Sequence, residues 1–178
     1  MTHRYELDAE IARRTIREEC GTDSCGFGGD RDQLAFRTGQ LFVALILARR
    51  GHISLDALEL AGVDRMVTPA EIMRCILRPL IARGFCRVSR GEVVASVGLA
   101  THRNPVEALM AGESLTETGS VRRVAAEKVR IGDYVLGVGT VASAPTRRTY
   151  DCEVMLREDG HYLTTHISGY VTVARIAA

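Results

Sequence analysis

Two patterns divide the chain. Up to about residue 112 most apolar side chains recur at helical spacing; from residue 120 they fall into short runs between turn residues. Residues 5–19 read as a helix, with Leu7, Ile11 and Ile16 near helical spacing and acids in the first turn. Residues 20–30 hold four Gly and read as a loop. Residues 33–49 predict a helix that is apolar nearly all round, carrying Leu34, Phe36, Leu41, Val43, Leu45, Ile46 and Leu47, so it should be central and buried. Arg49 and Arg50 suit its C-terminal dipole, and Gly51 is the expected stop.

A short extended piece, His52-Ile53, follows. Ser54 is placed as the N-cap of a helix over residues 55–63, and residues 64–67 read as a loop. Thr68-Pro69-Ala70-Glu71 then combine a capping box with Pro at the first helical position, the strongest local signal in the chain. The helix opened there presents Ile72, Met73, Cys75, Ile76, Leu77, Leu80 and Ile81 as a wide apolar face and closes at Gly84. Pro79 lies inside it and removes an amide donor, so a kink or register shift is expected there. Residues 85–88 and 92–97 read as two strands around Ser89-Arg90-Gly91, a hairpin with a basic tip. A short helix over 104–112 is capped by Asn104. Strands are then expected at 121–124, 134–136, 139–143, 150–156, 162–165 and 170–176, forming a small antiparallel barrel or rolled sheet.

The chain has 178 residues, room for one compact domain or two small ones. Without Trp, and with aromatics at 5%, the core must rest on Leu, Ile, Val and Ala. The net charge of +1 conceals an uneven spread: residues 34–100 carry nine Arg against five acids, whereas residues 1–33 are acidic and residues 101–178 balance. An anionic partner would therefore meet the middle of the chain. The best membrane candidate, LFVALILA at residues 41–48, is far short of the ~20 residues a span needs. The polar, acidic start does not read as a secretory signal, so a cytoplasmic location is expected. The five Cys residues (20, 25, 75, 86 and 152) suit reduced thiols, with Cys75 and Cys86 in the core.

The order helix, short strand, helix, turn, helix, hairpin across residues 33–97 resembles the winged helix-turn-helix superfamily. LDALELAG supplies the second helix, TPAEIMRCILRPLIARGF the third and CRVSRGEVV the wing. In that superfamily the third helix enters the major groove and the wing touches backbone or minor groove. The resemblance implies that Thr68, Ala70, Glu71, Arg74 and Arg78 lie at or near the groove, with Arg87 and Arg90 on the wing near phosphate. Arg can bridge guanine edges or neutralise phosphate. The third helix has few of the Ser, Asn, Gln or Lys residues that usually reach bases, so a solvated Arg face on a packing helix is the competing reading.

Other chemistry is thinly represented. Cys20 and Cys25 lack a second Cys/His pair in zinc-site spacing, so neither metal nor cofactor is expected. His161, His166 and Asp133 have no nucleophile placed beside them, and GVGTV at residues 137–141 lacks the Lys of a phosphate loop, so no enzyme is expected. Gly132-Asp133-Tyr134-Val135-Leu136 and Leu163-Thr164-Thr165-His166 resemble fragments of the intein/hedgehog-type fold, which bears on β-topology only: position 114 is Ser, and the ending ARIAA has no His-Asn pair.

The expected fold is α+β. An N-terminal helix and Gly-rich loop (1–32) precede a winged helix-turn-helix domain (33–100), followed by a short helix and a small antiparallel β-barrel-like domain (101–178). The expected function is transcriptional regulation by binding duplex DNA through Thr68, Arg74, Arg78, Arg87 and Arg90, as a homodimer. The alternative is a protein-contact module, an adaptor or inhibitor on the same scaffold. The β-domain would serve dimerisation, a protein partner or a second nucleic-acid contact.

Overall fold

The computed structural model describes residues 31–63, 67–115, 118–158 and 160–176. The helix expected at 5–19 and the loop holding Cys20 and Cys25 lie outside the described residues. A small, mostly helical region comes first and a large antiparallel sheet second.

Helix α1 (Arg31–Arg50) is the centre of the first region, and residues 41–47 along it are all buried. That follows from a sequence apolar on every side. Gly51 stops the helix as expected, with φ +78° and its N–H donating to Leu47 O at 2.8 Å. Strand β1 (His52–Ser54) leads into α2 (Leu55–Val63), where the Ser54 hydroxyl accepts from Ala57 N at 3.2 Å.

The third helix, α3, runs through Pro69–Glu71, Ile72–Leu77 and Arg78–Ala82, and its middle segment is wound as a π-helix. The register shift expected from Pro79 takes this form. A regular α-helix would cap the Cys75 carbonyl with the amide of residue 79, which Pro lacks. Gln40 Nε2 on α1 donates to Cys75 O at 2.7 Å instead. Removing that donor leaves a part-buried carbonyl short of its partner. Gln40→Ala is therefore expected to lower unfolding free energy by about 1–2 kcal/mol. Urea denaturation would check this, and a change below about 0.3 kcal/mol would show that the carbonyl finds water instead.

Strands β2 (Cys86–Ser89) and β3 (Glu92–Ala95) form a hairpin, and β1 pairs antiparallel with β3 to give the order β1-β3-β2. The predicted second strand ran to residue 97. It ends two residues sooner, because Ser96 caps a short helix, α4 (Val97–Thr101), accepting from Leu99 N at 3.1 Å. Helix α5 (Pro105–Met110) follows, with Asn104 Oδ1 accepting from Glu107 N as expected.

The second sheet comprises β4 (Gly119–Ala125), β5 (Tyr134–Val135), β6 (Gly139–Val141), β7 (Thr146–Arg147), β8 (Cys152–Glu158), β9 (His161–Ile167) and β10 (Tyr170–Ile176). The order is β4-β10-β5-β6-β8, with β7 and β9 both on β8. Val135, Val141, Val154, Leu156, Ile167 and Val173 share one core although their strands are far apart in that order, so the sheet is rolled. It does not close: among the described residues β4 pairs only with β10, and β9 only with β8. β7, lying between the strands expected at 139–143 and 150–156, is a two-residue addition to β8.

The two regions are packed together. Val121, Leu136 and Ala174 of the second sheet belong to the same core as α1, α3 and Phe85. A Cβ at Gly51 would sit 2.6 Å from Thr172 Cγ2, so the end of α1 lies directly against β10.

Candidate nucleic-acid interface

Helix α3 has one wet face and one dry face. Ile72, Ile76, Leu77 and Leu80 are buried against the core, while Ala70, Arg74, Arg78 and Ala82 are exposed, four residues apart. The two arginines therefore share a side and point to solvent. The N-terminus of α3 is held by the full capping box. Thr68 Oγ1 accepts from Glu71 N at 3.3 Å, and Glu71 Oε2 accepts from Thr68 N at 2.8 Å and from the Thr68 hydroxyl at 2.7 Å. The hydrogen bonds from the Thr68 side chain and backbone hold the Glu71 carboxyl below its ordinary pKa, and Arg74 adds to the effect. Glu71 is thus occupied with the cap, and the Thr68 hydroxyl is engaged both as donor and as acceptor.

Through Gly84 and Phe85 the helix runs straight into the β2–β3 hairpin. Ser89 pairs with Glu92, leaving Arg90 and Gly91 as a two-residue turn with φ of +52° and +77°. Positive φ at both central positions is a type I′ turn, whose first position favours Asn, Asp or Gly. Arg90 is the one non-Gly residue with positive φ among the described residues, and a left-handed conformation costs about 1–2 kcal/mol for an ordinary side chain. The tip is anchored by Leu55 N–H donating to Gly91 O at 2.9 Å. Arg87 and Arg90 are both exposed. The fold thus places Arg74 and Arg78 on the open face of α3, and Arg87 and Arg90 on the adjoining hairpin. Arg90→Asn is expected to raise stability by about 0.5–1 kcal/mol, measured by thermal unfolding.

Arg83, close by in sequence, does a different job. Its guanidinium donates to the carbonyls of Ala108, Leu109 and Glu113 at 2.9–3.1 Å and lies 4.9 Å from the Phe85 ring centroid. It ties the C-terminal end of α5 to the end of α3, and partial burial lowers its pKa. No spacing rule in the sequence separates it from Arg78, since its partners are carbonyls 25–30 residues away.

The titratable residues of the second sheet are dispersed. His161 is exposed, and His166 Nδ1 lies 3.2 Å from Asp151 Oδ2 at the surface. Asp133 is buried and held by Arg175, whose Nε donates to Oδ1 at 2.6 Å. Cys86 and Cys152 are buried and Cys75 is half-buried. Among the described residues no three His, Cys, Asp or Glu side chains gather as metal ligands, and no helix is long and apolar enough to cross a membrane. Comparisons with protein-family models, curated proteins and solved structures found no match.

Proposed function

We propose that residues 33–97 form a winged helix-turn-helix and that the protein is a non-enzymatic, cytoplasmic, duplex-DNA-binding regulator. Two features support the fold reading: the order α1, β1, α2, α3, β2, β3, and the pairing of β1 with β3. The observation that carries the functional reading is Arg90. An arginine occupies the tip of the hairpin where Asn or Gly would be less strained, beside a helix whose open face offers Arg74 and Arg78. Strain retained at a surface position points to use of the side chain. In this reading Arg74 and Arg78 enter the major groove, Arg87 and Arg90 neutralise phosphate, and Thr68 orients the helix N-terminus toward the backbone.

The test is binding to random duplex DNA over a salt series, comparing wild type with Arg74→Ala/Arg78→Ala/Arg90→Ala. The expected result is a loss of roughly tenfold or more in affinity at low salt. The slope of log K against log salt should also shallow by about 0.9 for each phosphate contact removed. An unchanged slope would exclude this site. A protein-contact module is the second reading, favoured by Leu60 at 70% exposure on α2 and Ile81 at 38% on α3. It expects no duplex binding, and a protein interaction lost on Leu60→Asp.

A further inference from the structure

The edges of the second sheet are not alike. β4 carries Arg122 and Arg123 along its edge, and β7 is two residues long and includes Arg147. Charge and shortness are the usual means of keeping an edge from pairing. β9 has neither. Its seven residues, HYLTTHI, include no Lys, Arg, Asp, Glu, Pro or Gly, and among the described residues it pairs on one side only. Tyr162 is 64% exposed and Leu163 61%. Leu163 stands opposite the buried Leu156, so it faces the core side of the sheet yet remains largely uncovered.

The register says which backbone groups point outward. Glu158 pairs with His161 and only two residues separate them in the chain, so that pair is hydrogen-bonded. Hydrogen-bonded and non-hydrogen-bonded pairs alternate along an antiparallel ladder. The pairs of Leu163, Thr165 and Ile167 with β8 are then bonded. The N–H and C=O groups of Tyr162, Thr164 and His166 face away from β8.

We infer that β9 pairs antiparallel with β9 of a second copy of this chain about a two-fold axis at Thr164. In that register Thr164 meets Thr164 of the second copy and Tyr162 meets its His166. The residues with outward backbone groups are then the ones that bond to each other. A strand without formal charge can meet its own copy without repulsion, and a Thr–Thr pair across strands is favourable. The two rolled sheets join into one continuous sheet, and Leu163 stands opposite Thr165 of the second copy. This pairing does not depend on the DNA reading.

Sedimentation velocity on the full chain over a concentration series tests the pairing, with wild type expected to pass from monomer to dimer. Thr164→Lys sets like charges face to face on an exposed position and should raise the dimer dissociation constant about tenfold. Thr164→Cys provides a second readout: Cα atoms ~5.5 Å apart across a bonded pair suit a disulfide. It should cross-link into a covalent dimer under mild oxidation, where Glu127→Cys, exposed elsewhere, does not. A wild type that stays monomeric at every concentration would overturn the pairing. So would a dimer indifferent to Thr164→Lys, or equal cross-linking by the two cysteine variants. A monomer that instead takes up extended peptides along β9 would place a different occupant on this edge.

Discussion

Asp133→Ala is expected to lower unfolding free energy by about 3–5 kcal/mol, a large share of the ~5–15 kcal/mol available to a domain. Asp133 is 1% exposed and receives two hydrogen bonds from the Arg175 guanidinium and one from Arg130 N at 2.9 Å. Removing the carboxylate strands a guanidinium whose side chain is only 19% exposed. The damage falls on β10, the strand that serves both cores: Val173 lies in the core of the rolled sheet and Ala174 in the helical one. The same turn fixes β6, through Val141 N donating to Asp133 O and Gly132 N to Val141 O, both at 2.8 Å. A double-mutant cycle with Arg175→Ala, read by urea denaturation, should show the double variant well short of the sum of the singles. Additive losses would mean that the two side chains act independently.

Gly84→Ala is expected to destabilise by about 2–5 kcal/mol. Gly84 has φ +71°, and a Cβ there would lie 2.0 Å from the Leu115 carbonyl oxygen. Both segments are pinned: Leu115 N donates to Arg83 O at 2.8 Å, and Phe85 N to Leu80 O at 2.9 Å. Neither backbone can retreat without breaking one of these bonds. Since Gly84 also joins α3 to the hairpin, the variant should lose stability and, under the proposed function, DNA affinity as well. Thermal unfolding measures the first effect; a shift in melting temperature within error would show that the junction is softer than these contacts imply.

Local signals were readable where local chemistry decides the structure. The capping box at Thr68 and Glu71, the stop at Gly51, the cap at Asn104 and the disturbance at Pro79 all depend on residues within a few positions of one another. What the sequence did not reveal lies between distant residues. Gln40 completes the Cys75 carbonyl from 35 positions away, and Arg175 neutralises Asp133 from 42. Arg83 and Arg78 look alike as isolated residues, yet one is spent on carbonyls and the other faces solvent. Helix α4 was hidden because Val93–Val97 alternates poorly and Ser96 reads equally as strand or cap. For the candidate site, the basic residues were legible as charge, but the left-handed backbone at Arg90 is set by the two-residue pairing of β2 with β3.

The most direct test of DNA binding by this surface is a nuclear magnetic resonance titration of the isotope-labelled protein with a short duplex at low salt. DNA binding by this surface requires that amide and arginine side-chain signals shift at residues 68–78 and 87–92 and that the second sheet stays still. No shifts at all, or shifts confined to residues 119–176, would contradict it.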